Sequence, residues 1–135
     1  MVKDIVKGKQ IFKKAQKATI EDASIIQDLL YTLQANRSIC VGMAANMIGV
    51  NRAIIAIVNG PFLFVMANPM ITKKSGKYIT QEGCLSLEGK RSCIRYKEIE
   101  VEYFDKNFEK KKGAYNGFLA QIIQHEIDHC NGIII

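Results

Sequence analysis

The segment that most constrains this fold lies near the C-terminal end. Tyr115 to about Cys130 reads as a helix that is apolar around much of its circumference. Phe118, Leu119, Ile122, Ile123 and Ile127 recur at helical spacing and form a broad apolar surface. A helix this apolar belongs in the middle of a fold, wrapped by other elements, and Asn131-Gly132 supplies its stop. The same helix carries Gln124-His125-Glu126-Ile127-Asp128-His129. His125 and His129, four apart, fall on one face about one turn from each other, so both imidazoles can reach a single ion. Glu126 stands roughly 100° around the helix from His125, close to the rings without being forced to act as a ligand. His-Glu-x-x-His is a mechanical unit for hydrolysis. The plainer alternative is two histidines on an ordinary helix, although these are the only histidines in the chain.

The remaining segments supply what wraps that helix. Thr19 is a suitable N-cap, with Glu21 and Asp22 in the first turn of a helix whose Ile25, Ile26, Leu29, Leu30 and Leu33 keep helical spacing. Asn36-Arg37-Ser38 breaks it. Cys40 to Val50 is small, apolar and punctuated by glycine, as a tightly packed connection should be. Arg52–Val58 and Phe62–Ala67 form β-type runs around Asn59-Gly60, a hairpin signal. Glu98 to Phe104 alternates acids with Ile99, Val101 and Tyr103, which describes a half-buried strand. A charged loop is expected next, with Lys110-Lys111-Lys112 on it. The expected class is α+β: one domain over residues 1–135, with antiparallel strands wrapped around a central, metal-binding C-terminal helix.

Composition excludes several alternatives. The longest apolar stretches, Ala53–Val58 and Phe62–Ala67, are too short to cross a membrane, and Met1 to Lys7 lacks a secretory h-region, so a cytoplasmic location is expected. Cys40, Cys84, Cys93 and Cys130 read as reduced thiols, because 135 residues can bury a core without disulfide staples. The formal net charge of +6 is moderate, and no RNA-recognition motif accompanies it, so no specific nucleic-acid partner is expected.

A common zinc peptidase would find its third ligand downstream, but Cys130–Ile135 contains no acid or histidine. Upstream, Glu82-Gly83-Cys84-Leu85-Ser86 offers Cys84, although a cysteine in a buried turn is more often plain core. Three segments in order resemble the signature motifs of peptide deformylases: Gly42-Met43-Ala44-Ala45, then Glu82 to Ser86, then Gln124-His125-Glu126-x-Asp128-His129. Asn68-Pro69 and Arg95 also resemble that family. The resemblance implies that Cys84, His125 and His129 hold one divalent metal, naturally ferrous iron, with zinc, nickel or cobalt accepted. It implies that Glu126 is the general base and that the Leu85 backbone N–H stabilises the oxyanion. The substrates it implies are N-formylmethionyl peptides on nascent chains, near the ribosome. Val41, Gly42, Phe118 and Ile122 fit the wall of a methionine pocket by position, with Gln121 an unexpectedly polar neighbour, and plain core is an equal reading for them. Asp128 is expected to pair with Arg95 and fix the helix against the sheet.

The first motif departs from the family pattern Gly-x-Gly-Leu-Ala-Ala-x-Gln. Cys40 replaces the first glycine, Met43 the leucine, and Met47 the glutamine whose amide would stabilise the oxyanion. Methionine has no N–H to donate. Asn46 carries an amide but lies one residue off and should point elsewhere. Leu87-Glu88-Gly89 stands where a proline often follows the second motif. Two rival readings follow from these departures: a noncatalytic homologue that keeps the metal and binds formylated peptides, and a hydrolase of a different amide.

Overall fold

The computed structural model describes residues 1–133 and 135. A single turn of 3-10 helix, Ile20–Asp22, precedes helix α1, Ala23–Ala35. Thr19 caps this start in a full capping box: its side chain and Asp22 each satisfy the other's backbone N–H. The acids expected at the opening of a helix therefore sit in a 3-10 turn, and the α-helix proper begins at Ala23.

Five strands follow: β1, Gly42–Ala44; β2, Ile54–Asn59; β3, Phe62–Gly83; β4, Lys90–Phe104; and β5, Lys110–Asn116. They form one antiparallel sheet in sequence order, and helix α2, Gly117–Cys130, closes the chain. The hairpin around Asn59-Gly60 forms as expected, with Asn59 opposite Phe62. Three expectations need correction. Lys110-Lys111-Lys112 lies in the exposed strand β5 rather than on a loop, paired with Phe104, Tyr103 and Glu102. Tyr115 belongs to that strand opposite Ile99, so α2 starts two residues later than its apolar period suggests. The switch falls at Gly117, whose φ of 59° ends the extended backbone. Phe118, in the first turn of α2, points outward and is 64% exposed, so it does not join the core face.

The sheet is buried on both sides where β1, β2 and β3 meet, which explains why Ile54-Ile55-Ala56-Ile57 is continuously apolar. Ile54 and Ala56 pack with Ile26, Leu29 and Leu33 of α1. Ile55 and Ile57, on the other face, pack with Ile122, Ile123 and Ile127 of α2. The half-buried strand is β4, whose Ile99 and Val101 join this second cluster. Beyond β5, the sheet continues as a long two-stranded ribbon of β3 and β4, from Lys77↔Tyr96 out to Gly83↔Lys90. Gln124 of α2 meets this ribbon like a strand residue. Its amide donates to the Tyr96 carbonyl and accepts from the Tyr96 N–H, both at 2.8 Å, satisfying backbone groups that no strand pairs.

Two close fits hold the first strand and the N-terminal segment. A Cβ on Gly42 would lie 2.7 Å from Ile122 and 3.1 Å from Glu126, so only glycine lets β1 approach α2 this closely. The segment before α1 runs across the site-bearing elements, with Val6 N–H donating to the Met47 carbonyl and Gly8 N–H to the Ser86 carbonyl, each at 2.8 Å.

Candidate metal centre and active site

Cys84 opens the turn that follows β3, while His125 and His129 project from α2. The fold brings one donor atom from each within 4.8 Å of the others. Three donors on one tetrahedral ion, with bonds of ~2.0–2.3 Å, stand roughly 3.5 Å apart, so this set needs little closing to hold a metal. The mixture of one thiol and two imidazoles suits iron, zinc, nickel or cobalt and disfavours the oxygen-seeking magnesium and calcium. The residues therefore fit a divalent transition metal.

The surroundings orient these donors. His125 Nδ1 lies 2.6 Å from Glu82 Oε1, which leaves Nε2 free for an ion. Glu82 is itself gripped by Arg95, whose Nη2 reaches Oε1 at 2.7 Å and whose Nε reaches Oε2 at 3.0 Å. Arg95 Nη1 also donates to Asp128 Oδ2 at 2.8 Å. The expected Arg95–Asp128 pair thus exists, and Arg95 joins α2 to β3 through both acids. His129, fully buried, has Nδ1 2.9 Å from Glu126 Oε1 and Nε2 3.3 Å from the Ile135 carbonyl oxygen. An ion held by His129 would take the place of one of those two contacts.

The electrostatics favour a cation. Burial pushes the Cys84 thiol up, but hydrogen bonds from His125 and His129 outweigh it and bring the thiol down to about 6. Burial pushes both imidazoles down, yet His125 is raised to about 9 by Cys84 and Glu82, and His129 to about 10 by the charge of Glu126 and by Cys84. Protons thus gather where the acids converge, and a metal competes with them for the same positions. Burial, with the charge of Glu126 adding to it, pushes Cys40 and Cys130 up to about 12, so neither is a reactive thiolate at neutral pH.

The site lies in an open cleft of about 610 Å³ lined by Val41, Gly42, Met47, Cys84, Leu85, Phe118, Gln121, Ile122, His125 and Glu126, among others. Every residue expected at the site except His129 is therefore on its wall, and His129 is buried next to His125, with ring centroids 4.5 Å apart. Met47 is buried, on a 3-10 turn spanning Ala45–Ile48. Asn46 turns away as expected: its Nδ2 donates to the His129 carbonyl at 2.9 Å. The amide does not replace the missing glutamine.

A family model for polypeptide deformylase matches residues 2–135. The chain belongs to the polypeptide deformylase family. A peptide deformylase of Clostridium beijerinckii is 52% identical to it over 136 residues, covering all of both chains. Among solved structures, a peptide deformylase from Legionella pneumophila matches with a TM-score of 0.87 at 29% identity, over 99% of this chain and 83% of that one. A peptide deformylase from Synechococcus elongatus in complex with actinonin matches with a TM-score of 0.85 at 31% identity, over 97% of this chain and 75% of that one.

Membership in the deformylases confirms the α+β class and the strands around the C-terminal helix. Sequence reasoning missed two members of the site. Glu82 stands in the second motif with no role expected of it, although an acid two residues before a candidate ligand is a signal. Tyr78 had none, because its place beside Gln121 depends on a ribbon that the sequence does not announce.

Proposed function

We propose that Cys84, His125 and His129 of this deformylase hold one divalent metal, ferrous iron in the cell, and that Glu126 moves the proton in formyl removal. The observation that carries this reading is the convergence of the three donors and Glu126 on one cleft. The overall reaction follows from the family: hydrolysis of the N-formyl group at the start of a polypeptide, releasing formate. A divalent ion in this site supplies Lewis acidity, lowering the pKa of a water and polarising the formyl oxygen.

The protein's own groups do the rest. Glu126 accepts the proton of the attacking water and returns it to the departing amine. Its side chain packs against Gly42, where any Cβ would crowd it, so its position is fixed. The Leu85 N–H serves the developing oxyanion, and the turn carrying it is tied down by Lys7, whose Nζ donates to the Leu85 carbonyl. Strand β1 is an edge of the sheet and borders the cleft, so an extended peptide can add to it by backbone pairing. Phe118, Ile122 and Val41 then provide apolar surface for the formylmethionine side chain. The substrates are formylmethionyl nascent chains, the working place is the cytoplasm close to the ribosome, and residues 1–135 act as one domain.

Position 47 sets the rate. An oxyanion donor is worth roughly a hundred- to a thousand-fold in turnover, and Met47 cannot supply one. Formate release from a formylmethionyl peptide by ferrous-loaded protein is expected from the natural chain, with Met47→Gln raising kcat by about a hundredfold, the lower end of that range. An unchanged kcat removes position 47 from the oxyanion site. Formate from neither protein, with metal bound in both, would instead favour the noncatalytic reading, which the intact Glu126 and the family now disfavour.

A further inference from the structure

Gln121 is the polar exception on the apolar wall of α2. It stands one turn before His125 on the same helix and lines the cleft beside Phe118 and Ile122. An amide half-buried among apolar side chains is costly unless its groups are bonded, and both ends of this one are. Tyr78 OH donates to Gln121 Oε1 at 3.1 Å, and Gln121 Nε2 donates to Glu82 Oε2 at 2.8 Å. Glu82 in turn receives His125 Nδ1 on its other oxygen.

We propose that Gln121 is a positioning residue for His125, acting through Glu82 from within the cleft wall. Arg95 grips the Glu82 carboxylate from the side of Asp128, and Gln121 grips it from the side of the cleft. With His125 they give each carboxylate oxygen two partner residues, Arg95 and His125 on Oε1 and Arg95 and Gln121 on Oε2, and leave it one orientation. That orientation sets the His125 ring and keeps the proton on Nδ1, so Nε2 stays free for the ion. Tyr78 holds the amide from flipping, because a flipped Gln121 would set its carbonyl against the carboxylate. The polar wall is thus a strut for the metal ligand.

This inference rests on the reading that Cys84, His125 and His129 hold the metal, and its test separates the two. Zinc affinity is measured by competition with a chromophoric chelator for the natural chain, Gln121→Leu, Tyr78→Phe and Cys84→Ser. The Co2+ absorption spectrum and the melting of each metal-free protein are recorded alongside. Partners in the outer shell of a metal are typically worth about 10–100-fold in affinity, and Gln121→Leu is expected to weaken zinc binding by roughly tenfold. A shifted Co2+ spectrum and an unchanged metal-free melting temperature should accompany it, with a smaller loss for Tyr78→Phe. If Gln121→Leu binds zinc as tightly as the natural chain while Cys84→Ser does not, the strut is wrong and the metal site stands. An equal fall in the metal-free melting temperature would assign Gln121 a purely structural role and also overturn the proposal. Undiminished binding by Cys84→Ser would instead remove the metal-site reading itself.

Discussion

Glu126→Gln is expected to lower kcat for formate release by about a hundred- to ten-thousand-fold, the usual worth of a positioned general acid–base group. The substitution keeps the length of the side chain and its packing against Gly42, and it leaves Cys84, His125 and His129 in place. Metal content should therefore stay at one ion per chain, and KM should change little, because Glu126 acts on the proton rather than on binding. Steady-state kinetics and metal analysis on the same preparation check both halves. A variant within tenfold of the natural kcat would assign the proton transfer to another group. A variant that has lost its metal would show that Glu126 serves chiefly to hold His129, its neighbour at 2.9 Å.

The second large effect falls on stability. Arg95 is 3% exposed, and its guanidinium answers both Glu82 and Asp128. Removing one member of a buried ion pair typically costs about 3–5 kcal/mol, because the partner is left charged and without solvent. Arg95→Ala is expected to lose about that much in denaturant unfolding and to bind metal more weakly, since Glu82 then lacks its main support. The pH dependence follows from Glu82. Burial pushes its carboxyl up, but hydrogen bonds from His125 and Arg95 outweigh this and bring it from 4.5 down to about 2. A depressed carboxyl contributes stability that is present above its unfolded value and is lost as pH falls toward its folded value. For the natural protein that loss lies between 4.5 and about 2; for Arg95→Ala, whose Glu82 is no longer held down by the guanidinium, the loss over that window should be smaller. Urea melts at several pH values measure this. Equal stability of the two proteins, with equal metal content, would show that the Arg95 link is dispensable.

The parts of this fold that were legible in the sequence are those whose signal is local. Helix α2 and its two histidines announce themselves by spacing, and the alternation from Glu98 to Phe104 announces the buried half of β4. The ribbon did not. Thr72-Lys73-Lys74-Ser75-Gly76-Lys77 has no apolar face to read, and it becomes strand only because β4 pairs with it after a register shift at Thr72. The lysines of β5 misled for a related reason: an edge strand facing solvent can be polar on both sides. At the site, the candidate donors and Glu126, which the fold brings to one cleft, were readable from motifs, and the Arg95–Asp128 pair was anticipated. Glu82 and Gln121 were not given their places, because their bonds join residues 39–43 positions apart that only the folded sheet and helix bring together. The N-terminal segment is a further case. Its bonds to the Met47 and Ser86 carbonyls come from backbone groups, which carry no sequence signal at all.

The central claim is that metal held by Cys84, His125 and His129 drives formyl removal. The most direct measurement is formate release from a formylmethionyl peptide before chelation, after anaerobic removal of metal, and after return of one equivalent of ferrous ion. The expected result is activity that vanishes with the metal and returns with it in the natural chain but not in Cys84→Ser. Formate released at an undiminished rate by the chelated protein would contradict the claim.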